Sequence, residues 1–236
     1  MEKIIYLITR QNKQNRTDFT KLITQHIVPQ LVATKPLGLK VNIADEAVAA
    51  GDAMAMESIS PKTDAIVSIW LDSSINRGPI ENILTAKVTR YAGYLVTESC
   101  PLQKTQQIPL LGERTAGFAQ VALLQRPARL SVEQWIDIWQ YSHTKIALET
   151  QSTFSYTQNL VVRPLTASAP EINAIVEESF PLPALTDQAV FYDAKDDDAK
   201  LAKNSQTMME SCARFIDFDK INVCPTSEYI YKNVVN

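Results

Sequence analysis

The sequence predicts an α+β protein built from two similar halves, each a βαββαβ unit, with two four-stranded sheets packed face to face in a barrel-like arrangement and the helices outside. Three observations lead there. The first is an internal repeat: the only two histidines, His26 and His143, lie 117 residues apart in helix-like stretches, and Asn42 and Asn159 keep that spacing. Arg10 and Arg126 end strand-like runs at an offset of 116, DAIVSIWL at 64–71 matches NAIVEESF at 173–180, and Glu98 and Glu228 recur near the two ends. A period of about half the chain is read before any other pattern because it sets the architecture. The second is the alternation of strand-sized and helix-sized apolar patterns in the same order in each half. The third is that IIYLI and AIVSIWL carry apolar side chains on both faces. Such strands are covered on both sides. Two helices per unit cover one face, so the other buries against the second half.

The elements follow in order. IIYLIT is a strand, and residues 17–33 place Phe19, Leu22, Ile23, His26 and Ile27 at helical spacing behind Thr17 or Asp18 as cap. Pro29 removes a backbone donor and should end or kink that helix close to His26. Strands are expected near 38–44 and 64–71, a helix near 79–89 entered by Gly78-Pro79, and a strand at 91–98. Residues 101–115, with Pro101, Pro109 and Gly112, form the linker between a first unit at 1–100 and a second at 116–236. The second unit is read as a strand at 117–125, a helix at 131–148 opened by Ser131, strands near 154–163 and 172–179, helical stretches between 185 and 213, and a strand near 220–231.

Composition narrows the partners. Lys+Arg 23 against Asp+Glu 26 leaves a net charge of -3, which provides no basic field for nucleic acid or anionic lipid. No apolar run approaches a membrane span, and MEKIIYLITR reads as a strand rather than a signal peptide, so a soluble cytoplasmic protein is expected. Cys100, Cys212 and Cys224 lack metal or redox spacing, and no H-x-x-x-H is present. Only six glycines occur, with no G-x-G-x-x-G, phosphate loop or G-x-S-x-G. Neither a metal nor a nucleotide cofactor is called for. The run AKDDDAK at 194–200 lacks the glycine and terminal glutamate of a calcium loop and reads as a solvated helix N-terminus.

The stretch LSVEQWIDIWQYSHTKIAL, followed by TQNLVV and ending in TSEYIY, resembles the EthD domain, a branch of the dimeric α+β-barrel superfamily of ferredoxin-like folds. The first half resembles the same domain more distantly. The resemblance implies a tandem in which the superfamily's usual dimer is built within one chain, and the fused unit can pair again as a homodimer. The proline that commonly follows the histidine is replaced by Thr144-Lys145 in the second half and displaced to Pro29 in the first, where the aromatic-to-histidine spacing is one residue shorter. The second half is therefore the better-preserved site.

The superfamily's chemistry is too varied for fold to choose a reaction, so the site is argued from residues. His143 follows Trp135 and Trp139 by eight and four positions on one stripe, and His26 lies within about one residue's width of the Phe19/Ile23 stripe. Both imidazoles are expected to face the interior, as proton acceptors or donors beside a small hydrophobic or aromatic substrate. Tyr6, Tyr141 and Tyr156 are candidates to hold a developing enolate or phenolate, and Arg10 and Arg126 a substrate carboxylate. Glu98 and Glu228 are placed to orient a histidine. Three readings follow: a cofactor-free enzyme of isomerase, dehydratase, decarboxylase or monooxygenase type using His143, with oxidoreductase and lyase chemistry both open; a non-catalytic binding or accessory protein with the same pocket; and a haem-binding oxidoreductase with an interior histidine as axial ligand.

Overall fold

The computed structural model describes residues 1–105 and 108–234; positions 106–107 of the expected linker and the last two residues of the expected second unit lie outside the described residues. The chain begins with β1 (Glu2–Ile8) and α1 (Arg16–Lys21), which runs through a π-type turn, Leu22–Ile27, into α2 (Val28–Ala33). β2 (Gly38–Ile43), a 3-10 segment at Glu46–Met54, the two-residue β3 (Met56–Glu57), β4 (Ala65–Leu71), α3 (Gly78–Lys87) and β5 (Tyr91–Leu102) complete the first half. The second half comprises β6 (Phe118–Leu124), α4 (Val132–Ile136), a π-type turn at Asp137–His143, α5 (Thr144–Thr150), β7 (Ser155–Pro164), β8 (Ala174–Phe180), a 3-10 turn at Leu182–Leu185, α6 (Gln188–Phe191), α7 (Asp198–Ala213) and β9 (Ile221–Lys232).

Local chemistry explains the helix starts. Ser131 accepts from the Gln134 N–H and Gln134 Oε1 accepts from the Ser131 N–H, a reciprocal cap that opens α4 as expected. In the first half the cap is Asn15, not Thr17 or Asp18: Asn15 Oδ1 accepts from the Asp18 N–H at 2.7 Å. Asp197 caps α7, so the acidic run is a helix N-terminus. Pro29 neither ends nor breaks its helix, which continues to Ala33. It enters at the start of α2, just past the π-type turn, where the regular hydrogen-bond ladder is already offset.

The expected barrel is present, and its two four-stranded halves are joined edge to edge into one antiparallel sheet. Each half orders its strands second, third, first, fourth: β2-β4-β1-β5 and β7-β8-β6-β9. β5 then pairs with β7 and β2 with β9, so the eight strands close into a barrel, and β3 adds to β9. β5 runs past the expected domain boundary to Leu102 because β7 offers it a partner as far as Tyr156.

Alternation divides each strand between helices and lumen. In β1, Ile4, Tyr6 and Ile8 pack under α1, α2 and α3, while Lys3, Ile5 and Leu7 point inward. One stretch of the lumen is apolar, with Ile5, Leu7 and Ile66 meeting Val121, Leu123 and Ile175 of the other half. The rest is ionic. Lys3 pairs with Glu98 and with Glu177 at 3.2 Å, Lys40 with Glu177 at 2.5 Å and Glu228 at 3.8 Å, and Lys104 with Glu228. Glu98 and Glu228 therefore face lysines, not a histidine. Burial would raise the Glu177 carboxyl, but the ammonium groups of Lys40 and Lys3 outweigh it and hold the group well below the ordinary carboxylate range. Glu228 is lowered in the same way by Lys40 and Lys104 against its burial.

Candidate functional site

The two π-type turns decide which side chains reach the interior. The Val28 N–H bonds to Ile23 O and the Thr144 N–H to Trp139 O, five residues back in each case, and Thr144 Oγ1 also donates to Trp139 O at 3.0 Å. The wider turn lines up residues four apart. Trp135, Trp139 and His143 are buried on one stripe, as are Phe19, Ile23 and Ile27 on the other. The counterpart of His143 is thus Ile27, at an offset of 116, and His26 falls one position off the stripe into solvent. The expectation that both imidazoles face inward holds for His143 and is corrected for His26. Replacing His26 with Ala should leave stability within about 0.5 kcal/mol of the parent. A thermal melt checks it, a larger loss meaning that the ring has a contact absent from this structure.

His143 stands at the wall of a cavity of about 590 Å³ between the outer face of the second-half sheet and the helices over it. Ala122 and Gln120 of β6, Val176 and Glu178 of β8, Tyr156 of β7 and Val223 of β9 form the floor; Trp139, Met208, Cys212 and Phe215 form the roof. Met54 and Met56 close one side from the first half. Their segment is anchored where Asp45 accepts from Ser227 Oγ and the Tyr229 hydroxyl, and Gly51 lies so close to Leu185 that a Cβ would sit 2.4 Å from its Cδ2. Four of the five methionines line the cavity, giving it soft, adjustable walls.

The buried polar side chains in this wall are His143, Gln151, Tyr156 and Glu178, with Gln151 Oε1 making no hydrogen bond. His143 is 7% exposed, its ring 4.6 Å from that of Phe215, and its Nδ1 lies 2.9 Å from Ser211 Oγ. Arg214 Nη2 donates to the same Ser211 oxygen at 2.9 Å. Arginine only donates, so the Ser211 oxygen keeps its own hydrogen and one lone pair for Nδ1, and either neutral tautomer of the ring satisfies the contact. Burial, and then the Arg214 charge, press the imidazole down to about 4, so it is neutral at pH 7. Glu178 is 8% exposed, and burial lifts its carboxyl to about 7. Burial likewise raises Cys212 to about 12 and raises Tyr156, with Glu178 adding to both. Trp139 Nε1 is buried and makes no hydrogen bond of good geometry, with the Tyr156 hydroxyl as the acceptor beside it.

Of the residues singled out in the sequence, the structure brings Trp139, His143 and Tyr156 together at the cavity. Trp135 lies behind Trp139, ring centroids 5.2 Å apart, with its Nε1 donating to Phe215 O at 3.0 Å. Phe19 and Tyr6 belong to the first-half core, where Tyr6 reaches Glu81 at 3.4 Å. Tyr141 is exposed. Arg126 holds Leu130 O at the approach to α4, and its backbone N–H bonds to Asn173, as that of Arg10 does to Asp64. Sequence reasoning missed Glu178. The signal was present in AIVEESF: in a strand covered on both faces, consecutive glutamates must be buried on opposite sides.

No lysine or arginine lines the cavity. An imidazole is available as an axial ligand, but haem propionates or a flavin phosphate would find no cation and would face Glu178, so the residues do not fit an anionic cofactor. Among the described residues no group of three His, Cys, Asp or Glu side chains is placed to hold a metal, and no helix is long and apolar enough to cross a membrane.

No protein-family model matches the sequence, and no curated protein matches it. Among solved structures, an anthrone oxidase-like protein matches at a TM-score of 0.53 and 8% identity, over 99% of this chain and 94% of its own. A putative monooxygenase from Fusobacterium nucleatum matches at 0.48 and 10% identity, over 98% and 92%, and one from Lactobacillus acidophilus at 0.46 and 8%, over 100% and 98%. At such identity the first likeness is one of fold: over nearly its whole length the chain is similar to the anthrone oxidase-like protein in its antiparallel barrel with helices outside.

Proposed function

We propose that the chain is an EthD-like, cofactor-independent enzyme, a tandem of two ferredoxin-like repeats at 1–100 and 116–236, that acts on a small, uncharged, hydrophobic or aromatic metabolite in the second-half cavity, with His143 contributing acid/base chemistry. The observation that carries this reading is a cavity walled by Trp, Phe and Met in which His143, Gln151, Tyr156 and Glu178 are the buried polar groups and no lysine or arginine lines the wall. Such a site favours neutral ligands and sets a small number of polar groups against them. The shared strand order of the halves supports the tandem. The name of the anthrone oxidase-like fold neighbour makes oxidation of an aromatic compound the first reaction to assay.

Ligand uptake tests the cavity. Naphthalene, followed by the quenching of tryptophan fluorescence, should bind saturably to the parent, and Ala122→Trp, which fills the floor, should weaken it about tenfold or more. Equal binding by the filled variant would place the ligand elsewhere and end this reading.

A further inference from the structure

Glu178 sits mid-sheet on the cavity floor. Its register partners are Gln120 on β6 and Tyr156 on β7, so three polar side chains cross an otherwise apolar floor in one row, with neighbouring Cβ atoms about 5 Å apart. Above the row, on the helix, are Trp139 Nε1, fully buried, making no hydrogen bond of good geometry and with the Tyr156 hydroxyl beside it, and His143 Nε2, which engages no described residue while Nδ1 meets Ser211. The floor thus offers a carboxyl that can accept, and the roof offers an indole N–H and, in the Nε2-protonated tautomer, an imidazole N–H that donate. A ligand hydroxyl seated between floor and roof has partners of both kinds in the same cavity.

We propose that Glu178 is the proton acceptor of this site, with His143 on the acid side as a hydrogen-bond donor, and that its substrate is a neutral phenol or enol whose hydroxyl points at Glu178. This rests on the reading of the cavity given above. In the step, the substrate O–H bond breaks, the proton forms a new O–H bond on the Glu178 carboxylate, and the electron pair stays on the substrate oxygen as a phenolate or enolate. That anion accepts from Trp139 Nε1–H and His143 Nε2–H. A neutral imidazole suits this role, because it donates without itself giving up charge. The carboxyl is matched as well: lifted toward neutrality by its apolar surroundings, it is close in proton affinity to the group it must deprotonate.

The probe is 2-naphthol, a far stronger acid in its excited state, which emits as naphtholate when a base touches its hydroxyl and as naphthol when none does. Bound to the parent at pH 8.5 it should emit mainly as naphtholate. In Glu178→Gln it should bind with similar affinity while the naphtholate-to-naphthol ratio falls about tenfold or more. In His143→Gln naphtholate emission should persist. In the parent the ratio should rise with pH through about 7, where Glu178 ionises. The other titratable groups facing Glu178 do not ionise there: Tyr156 and Tyr192 are raised, Cys212 stands at about 12 and His143 at about 4. Naphthol emission alone from the bound parent, or naphtholate emission undiminished in Glu178→Gln, would overturn the proposal and leave the cavity reading intact. Failure of both 2-naphthol and naphthalene to bind saturably would overturn the two together.

Discussion

Lys40→Met is expected to destabilise the protein by about 3 to 5 kcal/mol, one of the largest losses a single replacement can cause here. Lys40 projects from β2 into the lumen between Glu177 of β8 and Glu228 of β9, so its one ammonium ties the first half to two strands of the second. Methionine fills the space of the stem but leaves two buried carboxylates sharing Lys3 and Lys104. Burial alone would lower the Lys40 ammonium, yet the two glutamates outweigh it and raise it. The loss should appear as a lower urea midpoint with an unchanged denaturant slope. Adding Glu177→Gln to the same chain should recover part of it, because one unpaired charge is then gone. A loss under about 1 kcal/mol would mean that water reaches the lumen and screens these charges.

The second large effect depends on pH. Glu178 has a raised pKa, about 7 against 4.5, so the folded chain binds the extra proton between those values and stability falls as pH rises from 4.5 to 7. His143 is lowered, about 4 against 6.5, so the unfolded chain binds the extra proton there and stability falls as pH drops from 6.5 to 4. Between 4.5 and 6.5 the two slopes oppose and nearly cancel, giving the parent a flat profile. Glu178→Gln removes one of them. The variant should be more stable than the parent by up to about 3 kcal/mol at pH 8, equal to it near pH 4.5, and should lose stability on acidification from 6.5. Urea titrations at pH 4.5, 6.5 and 8 measure this; a variant no more stable at pH 8 would show that Glu178 is solvated. Below 4.5 both chains should lose stability progressively, since Glu177 and Glu228 are lowered and their contribution fades as pH falls from the unfolded-state value through the folded one.

Much of the fold was legible because periodicity and burial agree. AIVSIWL and AIVEESF are covered on both faces, the strands and principal helices begin and end within a few residues of their sequence signals, and Ser131 caps where its spacing says it should. The barrel was legible, but not which strand edges close it, because that depends on partners far away in the chain. The 3-10 segment at 46–54 was missed for a related reason: Ala, Val and Met there carry no regular period, and their place is set by Asp45 and Gly51 against the second half. In the site, Trp139, His143 and Tyr156 were found from a regular stripe and a strand aromatic. His26 was misplaced because a π-type turn shifts the helical phase by one residue, and no residue type announces such a turn. Ile27, not His26, occupies the equivalent place.

Barrel closure also bears on how this chain can meet another copy of itself. Sheet proteins most readily recruit a neighbour through the unpaired amides of an outermost strand. Here β5 is joined to β7 and β2 to β9, and among the described residues the one strand left with a bare side is β3, two residues long. Backbone pairing is therefore used up within a single polypeptide. A second copy would have to rest side chain on side chain against the outer helices, an association that point changes on α3 or α7 could tune without touching the barrel.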